Sequence, residues 1–470
     1  MALIKSISGI RGTIGGRSGE GLTPLDVVKF TAAFGQWLLS RQADKSGPHT
    51  VVIGRDGRIS GQMVSQLVAA TLQGMGLNVI DLGLSTTPTV ELAVPGENAV
   101  GGIIITASHN PIQWNALKLL NETGEFISGD DGNALLDIAD SESFTFADAK
   151  KLGTYRADDT WLQKHVDAVL ALPLVDRDAI AKRNFRVVVD AVNSTGGLAV
   201  PLLLEALGVE TITKLHCEPT GYFAHNPEPL PENLTDIINA TKRENQDLGI
   251  VVDPDVDRLA LICEDGSPFG EEYTLVAVAD YVLKNSPEGQ RNTVSNLSST
   301  VALRDVTQKQ GGQHVASAVG EVNVVAMMKE TGALIGGEGN GGIIFPELHY
   351  GRDALVGIAL FLSHLARFGK SVSMLRRTYP SYYISKNKIE LTPDIDVDAV
   401  LERIRAKYAR NPVNTIDGVK IEFDKEWVHL RKSNTEPIIR IYSESDTLST
   451  ADYLANKIIS DIREVIADKQ

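Results

Sequence analysis

The stretch VVIGRDGRISGQMVSQLVAATLQGMGLNVI, residues 51–80, decides the fold class. Val51-Val-Ile-Gly reads as a β-branched strand, the residues from about Met63 to Met75 as a helix, Gly76 as its stop, and Leu77-Asn-Val-Ile as a second apolar strand. That order is the βαβ unit of α/β folds. The plan recurs. Arg186-Val-Val-Val-Asp190 leads through Gly196 and Leu207 to Gly208 and Val209-Glu-Thr-Ile, and Thr293-Val-Ser-Asn296 leads through Val301 and Gln310 to Gly311-Gly312 and His314-Val315. One supersecondary plan repeated along the chain predicts three related α/β domains in tandem, although βαβ units within a single sheet would read alike. The tail differs. Trp427-Val-His-Leu-Arg431 and Ile438-Ile-Arg-Ile-Tyr442 are strand-like runs around a turn-forming Lys-Ser-Asn-Thr-Glu-Pro segment. Leu454, Ile458, Ile459, Ile462 and Val465 then recur at helical spacing, which predicts a smaller α+β domain entered through a linker near Phe368 to Ser373. The expected divisions are 1–150, 151–256, 257–369 and 370–470.

A chain of 470 residues with 43% apolar content exceeds the size at which one core keeps growing, which agrees with several domains. Its net charge of -15 repels nucleic acid and anionic membrane, so any phosphate on a partner has to meet a local basic cluster. The expected partner is a small molecule, with no nucleic acid and no membrane. Cys217 and Cys263, far apart and without CxxC spacing, fit a reducing compartment. Met1 to Thr13 reaches charged and glycine residues too soon for a signal peptide, and no later apolar run approaches the about 20 residues of a spanning helix. A cytoplasmic location is expected.

Val100-Gly-Gly-Ile-Ile-Ile105 is apolar enough for a buried strand and runs straight into Thr106-Ala-Ser-His-Asn-Pro111. Ligands of α/β sheets bind at the carboxyl ends of strands, where Ser108 would present its hydroxyl. The same residues also suit a helix cap or a turn. Serine needs a base or cation to act as a nucleophile, and adjacent His109 does not by its spacing imply a pair, since neighbours on a strand or turn usually point apart.

Asp247-Leu-Gly-Ile-Val-Val252 is a second such strand, ending in Asp253-Pro-Asp-Val-Asp257-Arg258. In an extended chain Asp253, Asp255 and Asp257 share one face, where like charges repel unless a cation neutralises them. Alternate oxygen ligands suit Mg²⁺, with positions left for water or a phosphate oxygen. A calcium loop is excluded. Glu264 meets its demand for a twelfth-position glutamate, but Arg258 stands where glycine is required and Leu259-Ala-Leu-Ile262 continues as strand. Solvated turn charges remain the alternative.

Gly336-Gly-Glu-Gly-Asn-Gly-Gly342 combines close backbone approach with two hydroxyl-binding side chains, Glu338 and Asn340, or else it is a flexible turn. It is not a dinucleotide fingerprint, because Ile343-Ile-Phe345-Pro346 reads as strand and stop rather than helix. Arg431, Ser433, Asn434, Thr435 and Arg440 bring phosphate-binding groups to one segment, which could equally be a polar hairpin.

These four segments, in this order, resemble the α-D-phosphohexomutase family: serine loop, metal loop, sugar loop and phosphate loop. Gly9-Ile-Arg-Gly12 is similar to that family's N-terminal arginine motif, and Asn115 and Lys118 match the residues following its serine loop. The resemblance spans essentially the whole chain. It implies four domains around a central cleft, the first three related α/β domains and the last a smaller, mobile α+β domain. The Gly-Glu-Gly-Asn-Gly-Gly loop, Ile-Ile-Phe-Pro and Gly351-Arg-Asp353 are most similar to phosphoglucosamine mutases of the archaeal type. Ala116 and Gly342 depart from the family's common glycine and histidine, and Asn296-Leu-Ser-Ser299 lacks a lysine that some members carry.

The resemblance implies interconversion of glucosamine 6-phosphate and glucosamine 1-phosphate through phosphorylated Ser108, with Mg²⁺ held by Ser108, Asp253, Asp255 and Asp257 and a hexose bisphosphate as intermediate and activator. Lys118 is the expected manager of the hydroxyl proton and His109 its alternative, with Arg11 and Arg258 steadying phosphoryl oxygens. Glu338 and Asn340 would take sugar hydroxyls, while Arg431, Ser433, Asn434, Thr435 and Arg440 hold the substrate's phosphate. Related enzymes act on glucose or mannose phosphates. A metal-dependent sugar phosphatase would not require the second phosphate clamp, and a non-catalytic sugar-phosphate sensor could lose Ser108 or the aspartates, none of which is missing.

Overall fold

The first sheet has seven strands: β1 (Leu3–Ser6), β2 (Gly9–Thr13), β3 (Thr50–Arg55), β4 (Asn78–Leu84), β5 (Gly101–Ile105), β6 (Trp114–Leu120) and β7 (Tyr155–Ala157). Their order is β1-β2-β6-β5-β3-β4-β7, with β3, β4, β5 and β7 parallel and β6, β2 and β1 antiparallel at one edge. The structure is a computed structural model that describes residues 2–6, 9–43, 49–243, 245–392, 395–432 and 438–467. It divides into two compact units, Met1–Thr274 with Asn340–Arg376, and Leu275–Gly339 with Arg377–Gln470.

Strand side chains alternate between faces, so β3 and β5, apolar at every position from Val51 to Ile53 and Ile103 to Ile105, feed two cores. Val51, Ile53, Ile103 and Ile105 pack with residues of α1 (Pro24–Arg41), α2 (Gly61–Gly74) and α4 (Gly129–Ser141). Val52 and Ile104 pack on the other face with Val90 and Val94 of α3 (Thr87–Gly96) and Trp161 of α5 (Trp161–Leu170). Local chemistry sets the helix starts. Thr23 and Asp26 cap α1 reciprocally behind Pro24, and Ser128 and Asp131 do the same for α4.

After α6 (Arg177–Arg183) comes a second sheet of β8 (Arg186–Asp190), β9 (Thr211–Leu215), β10 (Leu248–Val252) and β11 (Leu259–Cys263), in the order β11-β10-β8-β9. Its crossovers are α7 (Gly196–Ala206) and α8 (Thr235–Arg243). β8, β9 and β10 are parallel, and β11 pairs antiparallel with β10. The expected division at 256/257 therefore falls inside a connection between two paired strands. α9 (Glu271–Lys284) carries the chain into the second unit.

There β12 (Thr293–Asn296) runs parallel to β13 (His314–Ser317) and β14 (Ile335–Glu338), with α10 (Ala302–Lys309) and α11 (Glu321–Thr331) as crossovers. The chain then returns to the first unit as β15 (Gly342–Ile344), α12 (Ala354–Phe368) and α13 (Val372–Arg376). α12 is capped by Asp353, which accepts from Leu355 N and Val356 N, and it packs against α5, α6 and α7. The segment expected as a linker, Phe368 to Ser373, is folded onto the first unit: Gly369 ends α12, and Ser373 Oγ donates to Glu264 Oε1 at 2.5 Å.

The tail forms an antiparallel sheet of β16 (Tyr383–Glu390), β17 (Val413–Asn414), β18 (Val419–Glu422), β19 (Trp427–Lys432) and β20 (Ile438–Ser445), ordered β16-β20-β19-β18-β17. α14 (Val397–Lys407) and α15 (Leu448–Ala467) share one core with it, α15 contributing Leu454, Ile458 and Ile462 as their spacing predicts. Among the described residues no helix is long and apolar enough to cross a membrane.

Candidate active site

Ser108 follows β5 and Asp253 follows β10, so the carboxyl ends of two strands from different sheets meet. Ser108 Oγ donates to Asp253 Oδ2 at 2.9 Å, though the residues are 145 positions apart. Ser108 has φ +48, a left-handed conformation that is costly for a residue with a Cβ. Its surroundings hold it there. Ser108 N donates to Thr106 Oγ1, which in turn donates to Asp56 Oδ2 at 2.6 Å. The turn also brings about a pair that spacing did not imply: His109 Nδ1 lies 3.3 Å from Ser108 Oγ, because alternation fails where the backbone leaves the extended region.

Arg58, with no side-chain surface exposed, carries the loop. Its guanidinium donates to the carbonyls of Ser108 (2.5 Å), Asn110 (2.6 Å), Pro111 (2.8 Å) and Trp114 (3.0 Å), and its Nε meets Asp56 Oδ2 at 3.0 Å. Five directed donors make arginine fit for this. Arg11, on β2, donates to Asn110 Oδ1 at 2.7 Å, and burial lowers its pKa.

The aspartates converge by a different route from the one expected. Residues 253–258 form a turn in which Val256 has φ +64, so a bend and not an extended strand brings them together. One oxygen from each of Asp253, Asp255 and Asp257 lies within 4.8 Å of the others, and all three are fully buried. Asp253 Oδ1 accepts from Asp257 N and Arg258 N, each at 3.1 Å. Asp255 Oδ2 takes Thr87 Oγ1 at 2.6 Å and Lys118 Nζ at 2.7 Å, and Arg352 Nη2 meets Asp257 Oδ2 at 2.6 Å. Arg258 stands beside them, its Nη1 3.8 Å from Glu228 Oε1.

Burial takes the three carboxylates out of solvent, which disfavours their charged forms. Burial and then the charges of Asp257 and Asp255 push Asp253 well above the usual carboxylate range. Burial acts on Asp255 in the same direction, but Lys118 and the hydrogen bonds from Thr87 and Asp253 together outweigh it and hold that pKa below the ordinary value. Burial likewise opposes the charge on Lys118, and Asp255 and Asp257 overcome it. Burial, then Arg258 and Arg11, keep His109 well below the ordinary histidine value. Asp255 Oδ1 and Asp257 Oδ1 are buried with no hydrogen-bond partner among the described residues. Three converging carboxylates, with two oxygens left unsatisfied in the group, fit a hard divalent cation such as Mg²⁺.

In the second unit, Glu338 Oε1 accepts from Asn296 Nδ2 at 2.9 Å and Gly320 N at 3.1 Å. In the first, Asn340 Oδ1 accepts from Gly342 N. Gly341, at φ +84, would place a Cβ 2.3 Å from the Leu259 carbonyl, so glycine there is obligatory. Arg431 and Arg440 are directly opposed across β19 and β20, and like charges in that register repel. Asp417 Oδ2, 2.8 Å from Arg431 Nε, offsets part of this. Ser433, Asn434 and Thr435 lie outside the described residues.

Sequence reasoning missed Asp56, Arg58 and Thr87, and it quoted Arg352 within a motif without giving it a role. Asp56-Gly-Arg58 follows β3 in the position that singled out the serine and aspartate loops, so the strand-end argument reaches Arg58. Thr87 carries no local signal.

Sequence models of the phosphoglucomutase/phosphomannomutase family match along the chain: alpha/beta/alpha domain I at residues 3–146, domain II at 163–266, domain III at 270–382 and the C-terminal domain at 388–460. The chain is 36% identical over 437 residues to a phosphoglucomutase/phosphomannomutase of Thermococcus kodakarensis, covering 92% of this chain and 94% of that one. It is 32% identical over 463 residues to a probable phosphoglucosamine mutase of Methanopyrus kandleri, covering 98% of each. The crystal structure of a phosphoglucomutase/phosphomannomutase family protein from Burkholderia thailandensis matches with a TM-score of 0.83 at 26% identity, covering 98% of this chain and 97% of that one. The chain therefore belongs to the phosphoglucomutase/phosphomannomutase family of phosphohexomutases, enzymes of the isomerase class.

Proposed function

We propose that the enzyme interconverts glucosamine 6-phosphate and glucosamine 1-phosphate in the cytoplasm, by way of a phosphorylated Ser108 and a bisphosphate sugar that also serves as activator. The observation carrying this reading is the 2.9 Å bond that sets the Ser108 hydroxyl against a buried group of three aspartates. Ser108, Asp253, Asp255 and Asp257 would hold Mg²⁺, which when bound offsets charge on a transferring phosphoryl group. Arg431 and Arg440, with Ser433, Asn434 and Thr435, take the phosphate that the substrate already carries. Glu338 and Asn340 take its hydroxyls.

In the first transfer the bond from Ser108 Oγ to phosphorus breaks as the bond from the sugar oxygen forms, and the sugar hydroxyl proton leaves; in the second the other sugar oxygen–phosphorus bond breaks as the Ser108 Oγ–phosphorus bond re-forms, and a proton returns to the freed sugar oxygen. Lys118 Nζ is engaged by Asp255 and Asp257, whereas His109 Nδ1 is 3.3 Å from Ser108 Oγ, so the geometry favours His109 as acceptor and Lys118 as a fixed positive charge. Arg11 and Arg258 steady the phosphoryl oxygens. Reorientation of the bisphosphate lets one transfer group serve both directions. The four-domain division is retained in this reading, with the serine, metal, sugar and phosphate loops falling to successive domains.

Action on glucose or mannose phosphates is the second reading, favoured by the name of the 36% identical relative. Turnover on the 1-phosphates of glucosamine, glucose and mannose, each with a trace of its bisphosphate, separates the two; a strong preference for glucose or mannose replaces the first with the second. The Ser108 peptide of purified enzyme should carry one added phosphoryl mass. Ser108→Ala should lose that mass and at least about 10³-fold in turnover, and undiminished activity would refute the scheme.

A further inference from the structure

Asp190 ends β8, and His216 follows β9, one residue beyond Leu215, the register partner of Asp190. His225 joins them from the connection between β9 and α8. One ligand atom of each lies within 4.8 Å of the others. His216 Nδ1 is 3.0 Å from Asp190 Oδ2, and His225 Nε2 is 3.2 Å from both Asp190 oxygens.

Hydrogen-bond accounting exposes a conflict. His225 Nδ1 is 2.8 Å from the Asn226 carbonyl oxygen, which only accepts, so Nδ1 carries the proton. In the neutral ring Nε2 is then a bare lone pair, and it faces a carboxylate. Two acceptors at 3.2 Å repel, and either a second proton or a metal ion between them resolves it. A carbonyl that fixes Nδ1–H is also the arrangement that aims Nε2 at a metal.

We propose that Asp190, His216 and His225 form a second divalent-cation site, for an ion of zinc's class and not magnesium's. Imidazole nitrogens with one carboxylate suit zinc and its transition-metal neighbours, whereas magnesium takes oxygen. Ligands about 2.0–2.1 Å from a tetrahedral ion lie about 3.3 Å from one another, close to the 3.0 and 3.2 Å seen here. Asp190 is buried while the histidine side chains keep 23% and 14% exposure, which leaves an entry path.

The ion fastens the 216–230 connection, which contains no helix or strand, to the second sheet. That connection borders the active site without entering it. Phe223 lies under the Arg58 guanidinium, 5.0 Å from ring centre, and Glu228 reaches Arg258. Gly221, at φ +74, would place a Cβ 2.1 Å from the Gly57 carbonyl, so the connection is pressed against the turn that bears Arg58.

The test uses the full chain, stripped with chelator and then saturated with Mg²⁺ to fill the aspartate group, and titrated with Co²⁺ or Zn²⁺ alone. One equivalent of Co²⁺ should bind with visible absorption of low-coordinate cobalt and be displaced by Zn²⁺. His216→Ala and His225→Ala should each weaken that binding at least 100-fold, and Asp255→Asn should leave it intact. Imidazole nitrogen resonances of the wild-type protein at pH 8 provide a readout independent of any variant's folding. A shift of His225 Nε2 on adding Zn²⁺ supports the site; doubly protonated rings that ignore Zn²⁺, or equal stoichiometry in wild type and both histidine variants, overturn it.

Discussion

Two groups of side chains with metal-ligand chemistry stand at the carboxyl ends of neighbouring strands in one sheet, since β8 and β10 pair with Asp190 opposite Val251. The aspartates beyond β10 are all carboxylate and all buried, with Lys118 and Arg352 as partial counter-charges. The group beyond β8 sets one buried carboxylate against two mostly buried imidazoles. Strand ends make ligands converge in both places. What differs is donor chemistry, which burial amplifies: three buried carboxylates raise the pKa of Asp253, while Asp190, facing imidazoles, is held down at about 2 against the push of its own burial.

The sharpest way to break this comparison is Asp255→Asn. Mutase turnover should fall on the order of 10³-fold with a raised Mg²⁺ requirement, because the cation and Lys118 lose one ligand together, while the β8 group keeps its own metal binding. Activity that survived, measured across a Mg²⁺ titration, would take the cation away from these aspartates.

Arg58→Met comes next. It strands Asp56 and the carbonyls of the serine loop in a buried setting, and urea unfolding should show a loss of about 3–5 kcal/mol. Asp56→Asn in the same chain should recover part of it, since the uncompensated charge is then gone. A purely additive double variant would mean that the two side chains act separately.

The smallest effect concerns a histidine whose ring bonds to a hydroxyl and a backbone carbonyl and to no carboxylate. His429 donates from Nε2 to the Asp417 carbonyl and lies 2.9 Å from Ser298 Oγ, and burial lowers its pKa to about 4, whereas Asp190 raises those of His216 and His225. The folded chain keeps this ring neutral, while the unfolded chain protonates it near pH 6.5. Its contribution is whole above about pH 6.5 and lost as pH falls toward 4, on the order of 3 kcal/mol in all. His429→Gln should flatten that part of the stability profile between pH 7 and 4; an unchanged slope would assign it to other groups.

Periodicity made the repeated α/β plan legible, because a βαβ unit is written in contiguous residues, and so was the C-terminal helix with its apolar stripe. Ser108 and the three aspartates were legible for a related reason: each polar cluster directly follows an apolar strand. The pairing of β11 with β10, the return of residues 340–376 to the first unit and the folding of the supposed linker were not, since each depends on partners distant in sequence.

The sequence by itself determined which strand ends carry polar clusters and roughly where the chain turns from strand to helix. Only the tertiary structure decided how they meet. Arg58 holds Ser108 from 50 positions away, Thr87 holds Asp255 from 168, and Arg352 holds Asp257 from 95. The left-handed conformations of Ser108 and Val256, which turn their loops out of the extended geometry that alternation assumes, persist because such distant contacts outweigh their local strain.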